Sequence, residues 1–196
     1  MTEPQIAVGI LSGKEIEFSF PIKFISSVGT EIAGTQKAIY QNGKIRWQEK
    51  EYDELSFTPQ QGTHTFFELK NVTIGINFHW ERKEIQKFKG ELKIIIEGEQ
   101  LTAINVIAIE EYLTSVISSE MSATASLELL KAHAVISRSW LLNKLRIEND
   151  KLKKTMPSNS AANSQFSILN SQFIKWYDHE AVSYTHLRAH ETCADL

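Results

Sequence analysis

Glu120 stands two residues beyond an apolar stretch, residues 109–118, that opens on two other carboxylates, Glu110 and Glu111. A carboxylic acid can give a proton to a leaving oxygen and later take one back, so each of the three is a candidate general acid or base. Their surroundings separate them. Ile109, Tyr112, Leu113, Val116 and Ile117 recur at helical spacing, which predicts a short amphipathic helix over residues 109–118. Glu110 and Glu111 then fall in its first turn, where the positive end of the helix dipole and the solvent favour the ionised form. Glu120 follows the last turn, at the negative end, where a carboxyl is more readily kept protonated near neutral pH. That suits a general acid. At an arbitrary position, a solvated glutamate at a helix end would be the plainer interpretation.

Lys131 and Arg138 lie seven residues apart on a second expected helix and so share roughly one face. A cation on a buried face needs a carboxylate partner or a substrate. The pair therefore either orients the glutamate, binds substrate, or forms a purely structural ion pair. His133, between them, reads as a satisfied core or groove histidine rather than a catalytic base. His64, in a loop, and His79, on the polar register of a strand, read as surface histidines without partner spacing.

His186, His190 and Cys193 carry a ligand-like i, i+4 histidine spacing. Residues 182–192, however, resemble the translation of a transposon-derived DNA sequencing adapter, and residues 182–196 are set aside as non-native, as tags and fusion scars are. The native chain is then expected to end near Glu180 or Ala181, inside its domain, with His179 too close to the break to interpret. Without Cys193 the native part has no cysteine.

The elements that must position these residues divide into two parts. Residues 6–108 read mostly as strands, in short apolar runs such as 6–11, 15–20 and 22–25 punctuated by glycines. Asn42-Gly43, between the runs 38–40 and 45–47, predicts a two-residue hairpin because both positions tolerate positive φ. Strict alternation from Val72 to Trp80 predicts a half-buried strand, and Glu97-Gly98-Glu99-Gln100 a further hairpin leading into the helices. A second helix should start near Ser126, whose side chain can cap it, and run to about Asn149, ended by the charged residues 149–154. Its middle, residues 129–145, is apolar on most sides, which predicts a long buried helix. Residues 158–172 are polar and low in complexity, a surface insertion, and residues 174–177 begin another strand. The fold class is α+β, with residues 1–105 a strand-rich part and residues 106–181 a helical part carrying a polar insertion at 155–172.

A chain of 196 residues, 42% hydrophobic and 23% charged, has the profile of a globular protein with a sizeable core. The net charge of −3 gives no general pull toward nucleic acid or an anionic membrane surface and leaves binding to a neutral sugar polymer open. Neither an apolar run long enough to span a membrane nor a secretory signal is present in this sequence.

From Ile109 to Trp140 the sequence reads Ile-Glu-Glu-Tyr-Leu-Thr-Ser-Val-Ile-Ser-Ser-Glu-Met, five residues, then Leu-Glu-Leu-Leu-Lys-Ala-His-Ala-Val-Ile-Ser-Arg-Ser-Trp. This resembles the signature of the stage II sporulation protein D (SpoIID) / LytB amidase-enhancer family: a Leu-Glu-x-Tyr-Leu helix, a Ser-Glu-Met-Pro turn, and a helix with Leu-Lys-Ala-Gln-Ala-Val-x-x-Arg and then Ser or Thr. Phe88-Lys89-Gly90-Glu91-Leu92 is similar to the family's Tyr-Arg-Gly-x-Leu strand, and residues 6–10 to its opening strand. Ser122 replaces the motif's proline, and His133 its glutamine.

The resemblance implies a peptidoglycan lytic transglycosylase that cleaves the MurNAc to GlcNAc β-1,4 bond of glycan strands, best when these lack stem peptides. Glu120 matches the catalytic glutamate, and Lys131 and Arg138 match family positions. One carboxylate is enough for such chemistry, although hydrolytic glycosidases usually need two, because the muramyl C6 hydroxyl serves as the internal nucleophile. The second implied function is a non-catalytic enhancer that binds the wall and positions an amidase. The implied partners are peptidoglycan strands and a cell-wall amidase, the implied location is the cell envelope, and no cofactor is assignable. Zinc, where family members hold it, would be bound by residues C-terminal to the segment preserved here.

Overall fold

The computed structural model describes residues 3–60, 65–74, 79, 81–122, 124–155 and 174–175. Ten strands come first: β1 (Gln5–Gly13), β2 (Glu15–Ser26), β3 (Glu31–Gln41), β4 (Lys44–Trp47), β5 (Lys50–Tyr52), β6 (Glu54–Pro59), β7 (Phe66–Ile74), β8 (Arg82–Lys89), β9 (Glu91–Glu97) and β10 (Gln100–Ala108). Two helices follow, α1 (Ile109–Glu120) and α2 (Leu127–Thr155), and then a short β11 (Ile174–Lys175). The architecture is α+β, strand-rich at the start, with one short and one long helix.

The sheet runs β11-β1-β10-β9-β6-β2-β3-β4-β5, and β7 joins it through β2 while pairing β8. Every pairing in it is antiparallel except β1 with β11, where Val8 meets Ile174 and Gly9 meets Lys175. β2 is one strand where two separate runs were expected. Its first half pairs β7 at Phe18 and Leu69, and its second half pairs β6 at Phe24 and Pro59. Pro21 falls where the β2–β3 register shifts, a place at which no ladder donor is needed. Aromatic rings gather here along β2 and from its neighbours: Phe20 stacks on Phe24 at 4.4 Å, and Phe57 of β6 lies 5.1 Å from Phe18 and 5.3 Å from Trp47 of β4.

Both expected hairpins form. Asn42 and Gly43 have φ of 52° and 77°, and Tyr40 pairs Ile45 across them, while Gln100 pairs Glu97 across Gly98. Of the strand expected over Val72 to Trp80, the described residues Val72–Ile74 belong to β7, which starts earlier at Phe66 and is bulged at Asn71 with φ 58°. Val72 and Ile74 do face inward, and His79 sits exposed in a turn. Residues 75–78 and 80 lie outside the described residues, as do His64, His179, the insertion at 158–172 and the whole of 182–196.

Gly90 makes the corner between the β7–β8 hairpin and the main sheet. Its φ is 93°, and a Cβ there would lie 2.3 Å from the Val106 carbonyl oxygen. The buried Asn105 amide donates to the Lys89 carbonyl at 2.7 Å and clamps the same corner to β10.

The next residue, Glu91, is half-buried, and burial above all raises its pKa, against the lowering pull of Lys93 and the Ser56 hydroxyl. The folded state therefore holds the proton more tightly than the unfolded chain does. The stability this brings is complete below the ordinary value of 4.5 and is lost as pH rises through the raised one. Glu91→Gln should accordingly raise stability at pH 7 by about 0.5 kcal/mol, a small figure because the group still touches water, and leave it unchanged at pH 4. Urea unfolding at the two pH values measures the difference.

Candidate active site

α1 begins where β10 ends, and its first turn is tied to the chain's other end. Its cap residue, Ala108, has no side-chain acceptor, so the orphan amides go elsewhere: Ile109 N–H donates to the Pro4 carbonyl and Glu110 N–H to the Glu3 carboxylate, both at 3.0 Å. Ile109, Tyr112, Leu113 and Val116 form the buried face that the periodicity predicts, and Leu141 of α2 is fully buried in the same core. The helix runs one half-turn further than expected, so Glu120 is its last residue rather than the one beyond it.

The connection to α2 is a tight turn in which Ser122 performs the closure. Its hydroxyl accepts the Thr124 N–H at 3.2 Å and its carbonyl the Ala125 N–H at 2.9 Å, a local hydrogen-bonded turn of the kind serine supports. Ser126 caps α2 as expected, its hydroxyl accepting the Leu129 N–H at 3.3 Å. The helix then continues through the charged residues 149–154 to Thr155. Lysine and leucine are good helix formers, which outweighs Asn149 and Asp150.

One expectation about α2 is corrected. It is not a buried helix: Leu141 and Ser137 are buried, but Leu127, Leu129, Val135, Ile136 and Leu142 are each more than half exposed. One helix and one sheet edge cannot cover apolar residues set all around a cylinder. Of the roles left open for its two cations, the structure shows ion pairs with other carboxylates than Glu120. Lys131 pairs with Glu128 at 2.9 Å one turn away on the solvent face. Arg138 forks the Glu110 carboxylate, with Nε at 3.2 Å from Oε1 and Nη2 on Oε2. Because the face is wet, each cation takes the nearest carboxylate, and the Arg138 pair braces α1 against α2.

The group that meets Glu120 is His133. Its Nε2 lies 2.8 Å from Glu120 Oε2, and the two side chains are only 20% and 25% exposed. His133 Nδ1 in turn lies 3.3 Å from the Ser137 hydroxyl. These three polar groups share a cleft of about 200 Å³ with Tyr112, Leu113 and Val116 from α1 and with Ile136 and Trp140 from α2. Burial first, and the negative charge of Glu120 second, push the Tyr112 phenol far above its ordinary range, so it stays protonated through the physiological range. Sequence reasoning placed His133 in a groove but gave it no part beside Glu120. The available signal was spacing: residues 133 and 137 are one turn apart and lie on the face that carries Leu141, toward α1.

No helix among the described residues is long and apolar enough to cross a membrane. Nor, among them, do three His, Cys, Asp or Glu side chains converge as a metal site would require.

Residues 97–192 match the family model described as Stage II sporulation protein, SpoIID. The match takes in the second half of the β9–β10 hairpin, both helices and β11, and it extends into the segment after residue 181. No curated protein and no solved structure matches the chain. The matched segment holds Glu120, the turn at Ser122 and both helices, and over residues 97–192 the chain is similar to the SpoIID family.

Proposed function

We propose that this protein cleaves the β-1,4 bond between MurNAc and GlcNAc in peptidoglycan glycan strands, as a lytic transglycosylase with Glu120 as its single acid and base. The observation that carries this is the position of Glu120: a carboxyl at a helix end, its side chain a quarter exposed, lining a largely apolar cleft with His133 Nε2 2.8 Å from its Oε2. In the first step the Glu120 proton passes to the glycosidic oxygen as the C1–O bond breaks, and the GlcNAc alcohol leaves. In the second, the muramyl C6 oxygen bonds to C1 while its proton returns to the Glu120 carboxylate, giving a 1,6-anhydro sugar and the acid restored. No water is consumed, so the second carboxylate of a hydrolytic glycosidase has no task here.

The cleft is smaller than the ~300–1,000 Å³ of whole-ligand pockets, which fits a subsite for one ring of a polymer. Trp140, 37% exposed on its wall, offers an apolar face for a sugar ring. Trp140→Ala should raise KM for glycan strands about tenfold with kcat within about threefold, the pattern of lost uniform binding. Initial rates over a range of strand concentrations separate the two.

Incubating the protein with denuded glycan strands and analysing the products by mass spectrometry tests the activity itself. Anhydromuramyl ends are expected. Ends that appear only after an amidase is added would instead favour a regulatory module that positions another wall hydrolase.

A further inference from the structure

The helical segments hold several serine and threonine hydroxyls, and most of them bond backward along their own helix. Thr114 donates to the Glu110 carbonyl, Ser118 to Thr114 and Ser139 to Val135, each at 2.8 Å. Ser137 departs from this habit. It is 8% exposed, and its hydroxyl lies against His133 Nδ1 at 3.3 Å with no bond to the His133 carbonyl one turn back. A buried hydroxyl has one hydrogen to donate and rarely leaves it unused. With the carbonyl not taken, the ring nitrogen is the acceptor on which Ser137 spends that hydrogen. Nδ1 must then be bare, and the ring's own proton sits on Nε2.

We infer that Ser137 is a positioning residue: by donating to Nδ1 it fixes His133 with its proton on Nε2, so that Nε2–H always donates to Glu120 Oε2. The inference rests on the function proposed above for Glu120. Its consequence is directional. With Oε2 occupied by a donor, the acid's exchangeable proton is confined to Oε1, the oxygen left for substrate. The opposite tautomer would have a bare Nε2 accepting the Glu120 O–H, turning the acid's proton away from the sugar. Two orientations of one small ring therefore separate an armed acid from a disarmed one.

Among the described residues, the titratable groups lining the cleft with His133 are Glu120 and Tyr112, both from α1. The nearby charges of Glu110 and Arg138 are committed to each other, and those of Lys131 and Glu128 likewise. No other charged group among these competes for Nδ1.

Nitrogen-15 NMR of the His133 imidazole reads the tautomer directly, without any need for activity. In the wild type at neutral pH, Nε2 should carry the proton. Ser137→Ala should release the ring into a mixture of tautomers and lower kcat on glycan strands about tenfold with KM unchanged, and Ser137→Thr, which keeps the hydroxyl, should restore both signals. His133→Gln retains an N–H donor and should lose only about threefold, while His133→Leu should lose about a hundredfold. A wild-type ring protonated only on Nδ1, or a Ser137→Ala ring indistinguishable from the wild type, overturns the inference. If Glu120→Gln abolishes cleavage while the Ser137 and His133 variants cleave normally, this positioning role fails and the proposed function stands. A fully active Glu120→Gln removes the proposed function itself.

Discussion

Glu120→Gln should fold like the wild type and cleave glycan strands about 10²–10⁴-fold more slowly, the range by which a positioned acid or base accelerates a reaction. The folding half of that statement follows from the contact it makes. His133 Nε2 approaches Glu120 Oε2 at 2.8 Å, and the amide oxygen of glutamine accepts the same N–H. The side chain is also a quarter exposed, and it ends a helix whose burial is supplied by Ile109, Tyr112, Leu113 and Val116. Nothing in the core is lost, so thermal unfolding should stay within about 2 °C of the wild type, since a change near 1 kcal/mol moves a chain of this size by ~2–4 °C. The proposed chemistry, by contrast, loses the carboxyl assigned to protonate the leaving oxygen, because an amide cannot do so. Undiminished release of anhydromuramyl ends by the variant would refute the assignment.

Gly90→Ala should be the most damaging single substitution outside the site, costing about 3–4 kcal/mol, at the upper end for one residue. Two effects combine. A φ of 93° lies where side chains other than glycine's are strained, and the added methyl would meet the Val106 carbonyl oxygen at 2.3 Å. That oxygen belongs to β10, which is paired on both edges and cannot retreat cheaply. Gly29→Ala is the informative control, with φ 79° and open space around its Cβ. It should cost only about 1 kcal/mol, the conformational part alone. Urea melts of the two variants separate clash from backbone strain, and equal losses would show that the approach to Val106 contributes nothing. The expected fall for Gly90→Ala is roughly 10 °C.

Some of this molecule is plain in its residues. The Asn42-Gly43 hairpin is legible because two adjacent positive-φ positions allow few alternatives, and α1 because Ile109, Tyr112, Leu113 and Val116 fall on one stripe that the sheet buries. Ser126 at the start of α2 is legible for a similar reason, since a hydroxyl there satisfies an amide that has no other partner.

What was misread depends on which surface faces which, a property of assembly rather than of local pattern. α2 is apolar nearly all round, a pattern that ordinarily means burial, yet Val135 and Ile136 are exposed. Lys131 and Arg138 share a face in sequence, but the carboxylates within their reach are Glu128 and Glu110, not Glu120. The partner of Glu120 could be named only once α1 and α2 were laid against each other, because His133 lies thirteen positions further on, beyond a turn. The runs 15–20 and 22–25 read as separate, whereas β2 continues through Pro21 by giving up its pairing with β3 over residues 21–23.

The brace between Glu110 and Arg138 has a bearing on how the protein should be handled. Both partners are about half exposed, so dissolved ions reach them freely and weaken their hold as ionic strength rises. The far end of the same helix pair is held by greasy contact and by the shielded histidine, which electrolyte hardly touches. Raising the ionic strength should therefore loosen the Glu110–Arg138 end of the helix pair more than the His133 end.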